Sequence, residues 1–136
     1  MKYLLDTNIC IYVIKKRPSE VFEKFQTVPL GDIGISVITL CELYFGVEKS
    51  SDPEKNKKAL EQFLLPLEIY PLEFSMAIEY GKIRNRLEQK GTPIGSLDIF
   101  IAAHAKTLEL TLVTNNLHEF ERIDGLQIEN WIAGNS

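Results

Sequence analysis

Five short aliphatic runs, set far apart and separated by stretches of helical periodicity, constrain the fold of this chain more than any other feature. They are Tyr3-Leu4-Leu5, Ile33-Gly34-Ile35, Glu68-Ile69-Tyr70, Leu110-Thr111-Leu112-Val113 and Leu126-Gln127-Ile128. Between them apolar residues recur three and four apart: Leu40, Leu43, Tyr44 and Val47; Tyr80, Ile83 and Leu87; Leu97, Ile101, Ala105 and Leu108. Strands alternating with helices predict an α/β fold, with a central parallel sheet of four to five short strands covered on both faces. The polar stretch from Lys49 to Lys58 contains Pro53 and reads as a turn into a helix ending near Leu65. With no repeat or linker, the 136 residues are expected to form one domain, 1–136. No apolar run approaches the roughly 20 residues of a membrane span, and a charge arrives at Asp6, too early for a signal peptide, so a cytoplasmic protein is expected.

In open parallel sheets, functional groups gather where strands end and the following loops converge. Asp6 follows the first strand candidate, and Asn115, Asn116 and Glu119 follow the one that runs into Thr114. If those two strands are neighbours, their tips meet. Three carboxylates also sit in apolar surroundings: Asp6 after Tyr3-Leu4-Leu5, Glu42 within Leu40-Cys41-Glu42-Leu43, and Asp98 within Leu97-Asp98-Ile99-Phe100-Ile101. Buried acids require partners. No Lys or Arg stands directly beside them in sequence, which leaves a divalent cation as the other common solution. Hard oxygen ligands suit Mg²⁺ or Mn²⁺, and Mg²⁺ takes only one or two carboxylates, completing its shell with water and substrate phosphate.

Each acid also has an ordinary reading. Asp6 suits the cap of a helix starting near Asn8. Asp98, two residues after a Ser96 cap, would simply favour the helix dipole. Glu42 lies across its helix from Leu40, Leu43, Tyr44 and Val47, where a solvated glutamate would lie, but Ile38 and Phe45 share that side. Such a helix is expected to be covered on both sides, by the fold or by another chain. Cys10 and Cys41, set among aliphatic residues, read as two reduced core thiols. His104 and His118 lack the spacing of a zinc site and are expected to be structural or superficial. Ser96, Thr7 and Thr114 could orient carboxylates, although turn hydroxyls usually bond the nearby backbone.

Four fragments in order carry a resemblance that runs almost end to end. They are Met1-Lys2-Tyr3-Leu4-Leu5-Asp6-Thr7-Asn8, Ile35-Ser36-Val37-Ile38-Thr39-Leu40-Cys41-Glu42-Leu43, the stretch from Gly91-Thr92-Pro93-Ile94-Gly95 through Ser96-Leu97-Asp98 to Ala102, and Leu112-Val113-Thr114-Asn115-Asn116-Leu117-His118-Glu119-Phe120. Together they resemble the PIN-domain family, and within it the VapC-type toxins of bacterial toxin and antitoxin pairs. The resemblance implies a three-layer α/β/α fold and an acidic pocket that holds Mg²⁺ or Mn²⁺ and cuts RNA. Asp6, Glu42 and Asp98 match the first three acidic positions. At the fourth the chain departs from the common pattern: Asn116 stands there, and Glu119 three residues on could supply the missing carboxylate.

On that resemblance Asp6 and Asp98 hold the metal, Glu42 orients a water, and Glu119 with Asn116 assists a second ion or its hydration shell. The implied partners are a VapB-type antitoxin, which alone contacts operator DNA, an RNA substrate such as a tRNA, and a second copy of the chain in a homodimer. The largely apolar segment from Val37 to Val47 is a candidate surface for the homodimer or the antitoxin. A net charge of −4 argues against broad RNA affinity, but eleven of the fifteen Lys and Arg residues fall in three groups: Lys15 to Arg17, then Lys49, Lys55, Lys57 and Lys58, then Lys82, Arg84, Arg86 and Lys90. In the third, Lys82, Arg86 and Lys90 recur every four residues on a helix expected to bury Ala77, Tyr80, Ile83 and Leu87, and they run toward the loop before Asp98. They are the RNA-binding candidates, against a plain solvated face. Two rival classes remain: a catalytically silent module that binds RNA or protein, and an aspartyl-phosphate phosphatase, disfavoured because Asn8 stands where its second Asp belongs.

Overall fold

The computed structural model describes residues 2–132. Five parallel strands form the sheet: β1 (Tyr3–Leu5), β2 (Ile33–Ser36), β3 (Glu68–Tyr70), β4 (Thr111–Val113) and β5 (Ile128–Glu129), in the order β3-β2-β1-β4-β5. Helices α1 (Thr7–Lys15), α2 (Ser19–Thr27), α3 (Val37–Glu48), α4 (Pro53–Leu64), α5 (Phe74–Gln89), α6 (Ser96–Thr107) and α7 (Leu117–Phe120) make the connections. β1 is central, with Leu4 level with Leu112 and Leu5 with Val113 on β4. Asp6 and Thr114 therefore leave adjacent strand ends side by side, as expected of neighbours.

Strand side chains alternate between the two faces, and β1 and β4 are apolar on both. Leu4 and Leu112 enter one core with Ile83, Leu87, Ile101 and Phe120. Leu5 and Val113 enter the other with Ile9, Val13, Leu43, Leu60 and Trp131. Ile101 to Ala105 of α6 are all buried, and the alanines at 102, 103 and 105 let that helix be enclosed without displacing its neighbours. Among the described residues no helix is long and apolar enough to cross a membrane.

Gly34 of β2 answers to a close approach. A Cβ there would lie 2.5 Å from the Tyr70 ring and 2.9 Å from the Glu68 carbonyl oxygen. The ring could swing aside, but the backbone of β3 could not. Gly34→Ala is expected to cost about 1–3 kcal/mol, read as a lower urea midpoint at unchanged slope.

Several expectations need correcting. The last strand is Ile128–Glu129, two residues later than Leu126, because the turn at Gly125 (φ 78°) delays pairing until the Gln127 carbonyl accepts from the Leu112 N–H. Helix α5 buries Met76, Ile83 and Leu87 with Tyr80 half-buried, while Ala77 is exposed, about 100° around the helix from Met76. Gly95, not Ser96, caps α6. Cys10 is buried, but Cys41 is exposed, since the buried stripe of α3 is Thr39, Leu43 and Val47 and position 41 faces away. The fold leaves that outer face of α3 open, with Phe45 65% exposed.

His104 is structural. The Ser36 hydroxyl accepts from the Ile38 N–H at 3.0 Å, so its proton is free for His104 Nδ1 at 2.8 Å, and His104 Nε2–H donates to the Pro71 carbonyl at 3.0 Å. One neutral tautomer satisfies every partner, and burial lowers the imidazole pKa accordingly. The ring ties α6 to the end of β2 and the residue after β3.

Candidate active site

Asp6 is the last residue before α1 and caps it, Oδ1 accepting from the Ile9 N–H at 2.9 Å. Its own N–H donates to the Val113 carbonyl at 3.0 Å, pinning it to β4. It is only 6% exposed. Burial raises its pKa above the ordinary carboxylate value and Glu42 adds to this, while hydrogen bonds from the Thr114 hydroxyl and the backbone at Ile9 and Asn8 oppose it. Thr114 is a junction, because its hydroxyl also accepts from the Asn116 N–H at 2.9 Å. The cap reading and the site reading of Asp6 are thus compatible.

Glu42 projects from the second turn of α3 toward the start of α1. Thr7 Oγ1 donates to Glu42 Oε1 at 2.7 Å, and Thr39 Oγ1 lies 3.5 Å from the same threonine oxygen. Turn chemistry alone did not assign Thr7 and Thr114 to carboxylates, since the partners are 35 residues away in one case and on another strand in the other.

Asp98 occupies the first turn of α6, where helix amides favour a negative charge. That stabilisation is overcome. Burial first, then Glu119, then Asp6 and Glu42, push its pKa up to about 6. The Glu119 carboxyl lies against that of Asp98 and helps to keep it protonated, and the Asn116 side-chain amide donates to Glu119. Asn116 and Glu119 therefore act on one place, the amide fixing the carboxylate that faces Asp98.

All five acidic-site candidates are brought together. None of the four carboxylates forms an ion pair among the described residues. Lys82 and Arg86 on the exposed face of α5, and Lys90 at its C-terminal cap, stand outside the cluster, and Arg86 and Lys90 lie 3.9 and 3.5 Å from Asp124 Oδ2.

Such a cluster of acids at the tips of β1 and β4 narrows the comparison with known proteins. The family model described as PIN domain matches residues 3–126. The chain belongs to the PIN domain family. Ribonuclease VapC2 of Haemophilus influenzae is 48% identical over 132 residues, covering 97% of this chain and 99% of that protein. The tRNA(fMet)-specific endonuclease VapC of Salmonella typhimurium is 47% identical over 131 residues, covering 96% of this chain and 98% of that one. Among solved structures, VapBC2 from Rickettsia felis bound to a DNA fragment from its promoter superposes with a TM-score of 0.91 at 44% identity, covering 97% of this PIN chain and 100% of that chain. Within the family the chain is of the VapC ribonuclease type, as the fragments around Asp6, Glu42, Asp98 and Asn116 implied.

The donor set of this PIN domain suits a hard divalent cation. It offers only carboxylate, amide and hydroxyl oxygens, His104 being committed to Ser36 and Pro71. Buried acids with raised pKa values lack a counter-charge, which a cation would supply. Among the described residues no three His, Cys, Asp or Glu side chains stand ready to hold one metal ion together. A hard divalent cation taking one or two of these carboxylates and completing its shell with water would suit this donor set.

Proposed function

We propose that this chain is an endoribonuclease that requires Mg²⁺ or Mn²⁺, cuts a tRNA, and through that cut blocks translation and growth until an antitoxin restrains it. The observation that carries the reading is the convergence of Asp6, Glu42, Asp98 and Glu119 with no cationic side chain paired to them among the described residues. Asp6 and Asp98 would hold the ion, which supplies Lewis-acid charge to the phosphodiester. Glu42, oriented by Thr7, positions the attacking water and draws its proton. Glu119, held by Asn116, adds charge beside Asp98 and assists a second ion or its hydration.

The RNA reading is supported by relatives named as ribonucleases, and the tRNA reading by those named tRNA(fMet)-specific endonucleases. Lys82, Arg86 and Lys90 would meet the RNA backbone beside the acidic pocket, offsetting a net charge of −4. Solved relatives described as VapBC complexes, one on promoter DNA, favour a VapB-type antitoxin as partner, operator DNA being reached through that protein. The open face of α3 suits a partner chain, either the antitoxin or a second copy. There a groove of about 560 Å³, lined by Ile38, Cys41, Phe45 and Leu97, adjoins Thr7 and Glu42. The expected place of action is the cytoplasm.

Incubation of the purified chain with a tRNA(fMet) transcript and with total RNA tests this. Cleavage is expected with Mg²⁺ or Mn²⁺, and none in chelator. RNA that stays intact with metal present, yet is bound, would favour the silent RNA-binding module instead.

A further inference from the structure

A cavity of about 240 Å³ lies between α5, the last turn of α6 and the turn after α7, lined by Glu79, Lys82, Arg86, Lys106, Arg122 and Asp124. Four cations meet two carboxylates there. The sequence showed only half of this, since Lys106 and Arg122 fall outside the three basic groups and join Lys82 and Arg86 through folding alone.

The cations are held to different degrees. Lys106 Nζ lies 2.9 Å from Glu79 Oε1, and both side chains are largely buried, at 22% and 23% exposure. Gly125, at φ 78°, brings the turn so close that a Cβ there would sit 3.5 Å from Lys106 Cε and 3.6 Å from Nζ. Lys106 is thus a fixed wall of the basin. Arg86 has only a 3.9 Å pairing with the exposed Asp124. Arg122 reaches the Pro93 carbonyl at 3.4 Å, and Lys82 forms no ion pair among the described residues. Two positive charges are left in excess around a space that would admit a phosphate group.

The basin touches the loop that leads to Asp98. Arg122 follows Glu119 by three residues, and the carbonyl it reaches belongs to the loop leading to Asp98. Lys106 lies eight residues along α6 from Asp98, about 12 Å at the helical rise. That span corresponds to a few nucleotides of one strand.

We propose that this basin is a second subsite that binds a backbone phosphate of the RNA a few nucleotides from the one being cut; the proposal rests on the ribonuclease reading above. Lys82 and Arg122 grip the phosphate, Lys106 and Arg86 form its positive surround, and Asp124 weakens the site by competing for Arg86. Because the rest of the chain carries a net negative charge, the basin is a local positive hold for a substrate strand.

Steady-state cleavage of a tRNA(fMet) transcript in Mg²⁺ over a range of salt concentrations decides it. The double variant Lys82→Gln, Arg122→Gln is expected to raise KM about tenfold, with a much smaller change in kcat. Its log-log salt dependence should flatten by roughly 0.7, because one RNA phosphate is no longer neutralised by the protein. Asp124→Asn is expected to lower KM about threefold, a gain that misfolding cannot produce. Unaltered KM and salt slope in both variants, alongside normal wild-type cleavage, would overturn the subsite. Failure of the wild-type chain to cut any RNA is a separate result, which removes the ribonuclease reading and the subsite with it.

Discussion

Asp98→Asn is expected to reduce RNA cleavage at least about a hundredfold, the equivalent of about 2.7 kcal/mol, and to raise the melting temperature of the metal-free protein. Both effects follow from one fact. The Asp98 carboxyl is half-buried among Glu119, Asp6 and Glu42, and its pKa is pushed up to about 6. The folded chain therefore binds a proton at Asp98 more tightly than the unfolded chain, where the group titrates near 3.8. Its stabilising contribution is complete below that value and is lost as pH rises through about 6. Above that pH the ionised group opposes folding, and the neutral amide does not. Discounted for the solvent that still reaches the group, the gain is about 1 kcal/mol, or about 4 °C in Tm. Thermal melts in chelator should show the variant's advantage growing from pH 4 to pH 7. Added Mg²⁺ should raise the wild-type Tm more than the variant's. A variant that cuts at the wild-type rate would sink the assignment.

Much of this was legible in sequence because the deciding signals are local. Short strands apolar on both faces require a covered parallel sheet, and Leu4 and Leu5 do enter opposite cores. Asp6, Glu42 and Asp98 stood out because each is an acid in an aliphatic run, and the fold gathers them by putting β1 beside β4 and the start of α6 above both. What stayed hidden depends on long-range geometry. The relation of Asn116 to Glu119 had no local answer, since it takes a hydrogen bond between them and the packing of Glu119 against Asp98 to define it. Cys41 misled because its aliphatic neighbours surround it in sequence, while the helical turn points it away from the buried stripe. The basic basin was equally hidden, as Lys106 and Arg122 come from segments with no clustering of their own.

Asp6 poses the sharpest separation of structure from chemistry, because one side chain does both jobs. Its Oδ1 accepts the Ile9 N–H that would otherwise be an orphan donor at the start of α1, and its charge lies under the same burial that raises its pKa. Asn caps a helix about as well as Asp, whereas Ala does not. Asp6→Asn should therefore keep stability within about 1 kcal/mol while cleavage falls at least about a hundredfold, since the amide brings no negative charge to a cation. Asp6→Ala should lose the same activity and also about 1–2 kcal/mol of stability, because the Ile9 N–H and the Thr114 hydroxyl lose their partner in a buried place. Urea melts and RNA cleavage run on both variants separate the roles. Were Asp6→Asn to cut normally while Asp6→Ala melted early, Asp6 would be a cap and nothing more. Loss of cleavage in the stably folded Asn variant would instead place its charge in the reaction, with the cap retained alongside.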